Sequence, residues 1–294
     1  MKREHEGQVE SLRIAMVTMH SKPGAADWNL DRMEEFAERA VQEGAEIVCF
    51  PELSVTGYVL ENPERLCPEG GFERAADRVS RMTEGLGITI LAGIIEAARP
   101  GKPYISQIVA GPEGRVGVYR KTHLSPSEKA GYRSGDRLRT FCVEKRVFGI
   151  ELCYESHFPE ISTVLALSGA QVLFLPHASP RGTAHEKLES WLRHLTARAF
   201  DNAVFIAACN QVGNGPAGLT FPGVSVIIGP DGRVMDQYVG GDEHLLMATL
   251  DLGGLDVIRK HRMKFFLPHR RPDLYGPVSS TGSVSYTHLT LPTN

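Results

Sequence analysis

A single-domain α/β fold is what this sequence predicts. Short apolar runs rich in Val, Ile and Leu recur along the chain, segments with helical spacing separate them, and no linker rich in Gly, Ser or Pro divides the chain. The first β-rich run is Leu12–His20, LRIAMVTMH. Between Trp28 and Gly44, Leu30, Met33, Phe36, Ala37, Ala40 and Val41 share one helical face, and Gly44 supplies a C-terminal stop. Glu46–Glu52, EIVCFPE, is nearly all apolar and reads as a strand buried on both faces. The cycle repeats with a helix around Ala75–Leu86 and a strand over Ile88–Ile95. A hairpin then joins ISQIVAG to VGVYRK around Pro112-Glu113-Gly114. After FCVEKRVFGIELCYE, the sequence predicts a short helix from Pro159, a strand over Gln171–Pro176 and a longer helix from Glu186 to about Asn202. That helix carries Leu188, Trp191, Leu192, Leu195 and Ala199 on one side. The runs AVFIAACN, VSVIIGPDG and HLLMATLDL follow as strands, with a last helix near Leu255–Phe265.

Composition narrows the function classes. The 294 residues include 32 Lys+Arg against 35 Asp+Glu, a formal net charge of −3, with 42% apolar and 23% charged residues. This is ordinary globular chemistry, without the basic footprint that nucleic acid or an anionic membrane surface requires. The longest uncharged stretch, Ile161–Pro180, contains Ser162, Thr163, Ser168, Gln171, Pro176 and His177, so a bilayer span is not expected. The N-terminus MKREHEGQVES has no apolar secretory core, which makes the cytosol the expected compartment. Five dispersed cysteines with no CxxC pair argue against a disulfide framework and a thiolate zinc site.

Two patterns resemble familiar sites but lack their context. Gly213-Asn214-Gly215-Pro216-Ala217-Gly218 matches GxGxxG, yet no helix pattern follows and Pro216 removes a backbone donor. An ordinary loop is the expectation there, with a dinucleotide site as the lesser reading. His177, His185 and His194 have no standard ligand spacing, so no metal is expected. Stronger signals lie at strand ends, where α/β sheets place ligands: Glu52 ends EIVCFPE, Lys121 ends VGVYRK and Cys153 ends VFGIELC. Taken singly, a turn glutamate, a surface lysine and a core cysteine are each unremarkable.

Three segments carry a resemblance. Phe50–Tyr58 (FPELSVTGY), Tyr119–Leu124 (YRKTHL) and Gly149–Glu160 (GIELCYESHFPE) resemble, in order and spacing, the motifs of the nitrilase superfamily of carbon–nitrogen hydrolases. ARAFDN at Ala197–Asn202, VSVIIGPDG at Val224–Gly232 and RRPDLY at Arg270–Tyr275 extend the similarity over most of the chain. The resemblance implies a four-layer αββα sandwich spanning residues 12–276. Residues 1–11 are then a flexible N-terminus, and residues 277–294, which lose periodicity, read as a disordered or non-native tail.

It also implies a cofactor-free thiol amidohydrolase that assembles as a homodimer or a larger even-numbered homo-oligomer. The catalytic residues carried over are Cys153 as nucleophile, Glu52 as general base, Lys121 as oxyanion stabiliser and Glu128 as the second glutamate. Tyr58, Tyr154, Glu155, His177 and Arg181, the last followed by Gly182 and Thr183, are the candidates for substrate binding, Tyr154 through its backbone N–H. Most amidase-like members carry Asp where Glu155 stands, whereas nitrile hydrolases carry Trp then Glu after the cysteine, so Tyr154 departs from the nitrile pattern while Glu155 agrees with it. The sequence sits between the two patterns; an amide or N-carbamoyl substrate is the expectation, with a nitrile as the alternative. Glu155 is a candidate for binding nearby backbone N–H groups instead of substrate. Acyl transfer to an amine, and a catalytically silent scaffold on the same fold, are the competing functions.

Overall fold

The computed structural model describes residues 10–280 apart from 69 and 99. The first half contains β1 (Ser11–Thr18), α1 (Ala26–Gln42), β2 (Ile47–Cys49), α2 (Gly71–Leu86), β3 (Thr89–Glu96), β4 (Tyr104–Gly111) and β5 (Gly114–Arg120). Then come β6 (Thr140–Val143), β7 (Arg146–Ile150), α3 (Pro159–Leu167), β8 (Val172–His177), α4 (Ala184–Asn202) and β9 (Phe205–Asn210). A small hairpin of β10 (Gly213–Asn214) and β11 (Thr220–Phe221) precedes β12 (Gly223–Ile228), β13 (Val234–Gly240) and β14 (His244–Asp251). The described chain ends with α5 (Leu252–Lys260) and a short turn of helix, α6 (Gly276–Ser279).

Two six-stranded sheets result, ordered β14-β1-β2-β3-β4-β5 and β13-β12-β9-β8-β7-β6. Each has a parallel centre, β1-β2-β3 in one and β7-β8-β9 in the other, flanked by antiparallel strands. Because side chains alternate along a strand, a strand buried on both faces feeds two cores. Leu12, Ile14 and Met16 of β1 join Phe148, Ile150 and Phe174 between the sheets, while Ala15 and Val17 pack outward with Met33 and Phe36 of α1 and Val79 of α2. On the second sheet, Leu173 and Leu175 of β8 pack outward against Leu165 of α3 and Trp191 and Leu195 of α4. Three apolar layers thus separate helix, sheet, sheet and helix, the αββα sandwich expected. Each fully buried Leu, Ile or Phe contributes about 1.5–3 kcal/mol.

Several boundaries differ from the sequence reading for local reasons. Asp251 caps α5 by accepting from the Gly254 N–H at 2.8 Å, so this helix starts at Leu252 and ends at Lys260. The strand β13 was not anticipated, because most of its residues face solvent on an outer strand and carry no apolar alternation. Ser11, expected in a flexible N-terminus, pairs with Asp251. Pro277 and Val278, assigned to the tail, lie in α6. The rest of the expected N-terminal arm, Met1–Val9, and of the tail, Thr281–Asn294, lies outside the described residues. Among the described residues no helix is long and apolar enough to cross a membrane.

Candidate active site

The chemistry-bearing residues gather just beyond the ends of central and neighbouring strands. Glu52 lies in the turn after β2, and its placement depends on a residue the sequence did not single out. A Cβ on Gly93 of β3 would fall 2.2 Å from the Leu53 nitrogen and 2.7 Å from the Pro51 carbonyl oxygen. Only glycine lets β3 approach this turn so closely. The Ser54 hydroxyl, which accepts the Gly93 N–H at 2.9 Å, and the Val55 N–H, which donates to the Gly93 carbonyl at 2.8 Å, tie the turn down.

Lys121 follows β5 directly, with its own N–H on the Ile105 carbonyl at 2.9 Å and its carbonyl taking the Gly135 N–H at 2.7 Å. Cys153 comes three residues after β7 and opens a 3-10 turn, Cys153–His157, that leads into Pro159 of α3. Its φ of 48° is left-handed, a strained conformation for a residue with a Cβ. The sequence expectation of an elbow before α3 is met by this turn.

Lys121 Nζ donates to Glu52 Oε1 and to Glu128 Oε1, each at 2.8 Å, and all three side chains are buried. The Ala178 N–H donates to Glu52 Oε2 at 3.0 Å, and the Ser125 N–H donates to Glu128 Oε2 at 2.7 Å. Burial pushes the Glu52 carboxyl up to about 6; Lys121 opposes this and Glu128 reinforces it. Burial works against the Lys121 ammonium, but the two carboxylates outweigh it and the ammonium titrates well above the usual lysine range. Burial, together with the Glu52 charge, pushes the Cys153 thiol up, with Lys121 opposing. The resting site therefore holds a thiol, a carboxylate poised near neutrality and a permanent ammonium.

A cavity of about 400 Å³ opens beside this group and is lined by Cys153 and Glu128. Of the residues expected to bind substrate, Tyr58, Tyr154, His177 and Arg181 line it. Glu155 does not, and its expected contact with substrate is corrected. Its carboxylate is fully buried, accepting from the Tyr119 hydroxyl at 2.8 Å, the Thr122 N–H at 2.7 Å and the Leu152 N–H at 2.7 Å. It clamps the lysine-bearing strand end to the cysteine turn, the alternative role weighed from the sequence. Glutamine at this position would turn an NH₂ toward donors. Glu155→Gln is expected to cost about 1–3 kcal/mol in urea unfolding and to lower activity.

Gly182 and Thr183 do not line the cavity; Thr183 caps α4 by accepting the Glu186 N–H at 3.2 Å. The glycine-rich loop forms the β10–β11 hairpin with no helix after it, as Pro216 led one to expect, though Leu219 reaches the cavity wall. Sequence reasoning also missed Lys187, Trp191 and Ser156, which line the same cavity. Trp191, on the buried face of α4, packs against His177 with ring centroids 4.2 Å apart and planes tilted by 35°. No His/Cys/Asp/Glu group among the described residues is placed to hold a metal. Cys49 and Cys209 are buried, Cys67 is partly buried, and Cys142 is exposed.

One buried carboxyl stands apart from this site. Glu151, one residue past β7, accepts from the Ser162 hydroxyl at 2.6 Å, and burial pushes it up to about 8. In the unfolded chain it titrates near ~4.3, so between those values the folded protein keeps a proton that unfolding releases. Stability therefore falls as pH rises through that window. Glu151→Gln, which does not titrate, is expected to flatten this fall when unfolding free energies at pH 5 and pH 8 are compared.

Two six-stranded sheets thus carry, beyond their strand ends, a cavity lined by Cys153 and Glu128. The sequence profile of the family described as "Carbon-nitrogen hydrolase" matches residues 13–260, and the chain belongs to that family, whose members hydrolyse carbon–nitrogen bonds other than peptide bonds. It is 31% identical over 272 residues to a nitrilase of Pyrococcus abyssi, covering 90% of this chain and 99% of that one. It is 30% identical over 265 residues to an (R)-stereoselective amidase of Pseudomonas sp., covering 85% and 88%. Among solved structures, an amidase from Nesterenkonia sp. AN1 superposes with a TM-score of 0.78 at 25% identity, covering 90% of this chain and 98% of that one. That structure shows acrylamide added at the amidase's active-site cysteine.

Proposed function

We propose that this protein hydrolyses a small amide or N-carbamoyl compound to an acid and ammonia or an amine, through a thioester on Cys153. The observation that carries this reading is the buried Lys121 ammonium bridging Glu52 and Glu128, with Glu128 lining the same cavity as the Cys153 thiol. As Cys153 Sγ attacks the carbonyl carbon, its proton passes to Glu52, because a thiol held this high ionises only with a base to receive the proton. Two of the three Lys121 Nζ protons are engaged by carboxylates, leaving the third for the oxyanion alongside the Tyr154 N–H. Collapse of the tetrahedral intermediate breaks the C–N bond, and Glu52 returns its proton to the departing nitrogen. Water then attacks the thioester, with Glu52 as base and Glu128 orienting, and the acid leaves.

The acrylamide adduct of the Nesterenkonia amidase supports a nucleophilic cysteine in this family. Tyr154 in place of the tryptophan of nitrile hydrolases favours an amide over a nitrile. The assembled charges weigh against a silent scaffold. An even-numbered homo-oligomer completes the reading, supported by exposed Val164 and Leu167 on α3 beside Val278. The test is ammonia release from a panel of ω-amides, carbamoyl amino acids, aliphatic amides and nitriles. Turnover of an amide or carbamoyl compound supports the reading; silence across the panel, with no adduct on Cys153 by intact mass, moves the weight to the scaffold.

A further inference from the structure

The wall of the cavity built by the segment after β8 and the start of α4 carries positive charge that the triad does not use. Lys187 sits in the first turn of α4, where the positive end of the helix disfavours a cation. Its side chain is partly buried and lines the cavity with Cys153. Lys187 Nζ donates to the Ser179 hydroxyl at 2.8 Å and to the Pro180 carbonyl at 3.2 Å, both uncharged. Beside it, Arg181 lines the same cavity from a left-handed φ of 72°, a strained backbone held by its N–H on the Thr220 carbonyl at 2.8 Å.

Neither cation has an ion-pair partner among the described residues. The acidic groups nearest at hand are committed elsewhere: Glu128 to Lys121 and Ser125, Glu52 to Lys121 and Ala178, Glu186 to Thr183. Burial also pushes the Lys187 ammonium down, and the Cys153 sulfur, when ionised, is the charge that opposes this. A partly desolvated ammonium at a helix N-terminus, held only by two uncharged acceptors, keeps a charge that no group of the folded protein neutralises. An anion entering the cavity would relieve it.

We propose that the non-reacting end of the substrate is a carboxylate seated by Lys187 and Arg181, so that the substrate is the monoamide of a short dicarboxylic acid. This rests on the amide-hydrolase reading and names its substrate class. The amide carbon sits against Cys153 with its oxygen toward Lys121, and the carboxylate lies across the cavity on the α4 side. Hydrolysis adds one water, releases ammonia and leaves the dicarboxylate. The same two cations repel a substrate whose far end is an ammonium.

Three amides of similar length test this: succinamate, its neutral isostere 4-methylpentanamide, and cationic 4-aminobutyramide. The wild-type protein is expected to favour succinamate over the neutral isostere by about 10- to 100-fold in kcat/KM, the worth of one or two charge-assisted hydrogen bonds, and to take the cationic amide least. Lys187→Met is expected to lower the ratio of succinamate to 4-methylpentanamide about tenfold or more, mainly through KM, and Lys187→Arg to restore most of it. A wild-type protein that takes the neutral amide as well as succinamate overturns the inference. So does a Lys187→Met variant that loses both activities in parallel, which would give Lys187 a structural role only. Should no amide turn over, hydrolysis itself fails, and calorimetry of succinamate on Cys153→Ala decides the subsite alone. Binding weakened by adding Lys187→Met supports it, and no binding overturns it.

Discussion

Cys153→Ala is expected to lower amide turnover by about 10⁴-fold or more, the scale seen when a nucleophile is removed from a triad that acts as a unit. Cys209→Ala is the matched control. Cys209 is buried between the sheets, with its sulfur 3.8 Å from the Cys49 carbonyl and no exposure to the cavity. Losing that sulfur touches packing, not chemistry, and is expected to leave turnover within a few-fold of wild type. The contrast is sharp because of geometry. Cys153 alone among the five cysteines lines the cavity beside Glu128, on a turn whose left-handed φ holds it there. Initial-rate ammonia release, with circular dichroism to confirm that both variants fold, checks the pair. A Cys153→Ala variant that retains turnover would remove the thioester from the account.

Glu52→Gln is expected to cost about 10²–10⁴ in kcat/KM, the range for a lost general base, and to change the pH profile as well as the rate. The base form of Glu52 is the carboxylate. With the group pushed up to about 6, kcat/KM should rise with pH through that value as the proton leaves, and fall below it. Because Glu52, Glu128, Lys121 and Cys153 share one buried network, the observed acid limb belongs to the group. Removing Glu52 should nevertheless abolish that limb and leave a slow, flatter profile. Rates from pH 4.5 to 8 on the best amide check both effects. A variant that loses rate but keeps the acid limb near 6 would assign the titration to another group.

How much of this was legible beforehand follows from the range of the forces involved. Strands buried on both faces announce themselves through continuous apolar runs, which is why β2, β3 and β8 were found from sequence within a few residues. Motifs at the ends of β2, β5 and β7 located Glu52, Lys121 and Cys153. The Gly93 contact with the Glu52 turn joins residues 41 apart in the chain by close backbone approach, and a glycine inside an apolar run gives no hint of its partner. The Ala178 N–H that holds Glu52 is a backbone group, invisible to any reading of side chains. Lys187 left one signal, a cation in the first turn of a helix, but helical periodicity alone marks such a residue as surface. Glu155 was readable as a family variation, yet its role as a clamp needed the three-dimensional meeting of Thr122 and Leu152.

A covalent acyl group on Cys153 is the central intermediate of the proposed reaction. The most direct measurement is acid quenching of wild-type protein during turnover of its best amide, followed by proteolysis and peptide mass spectrometry. The peptide carrying Cys153 should gain the mass of the acyl group, at a level that rises to a steady state and disappears when substrate is exhausted. An acyl group on a different residue during active turnover would contradict the assignment of Cys153 as the nucleophile.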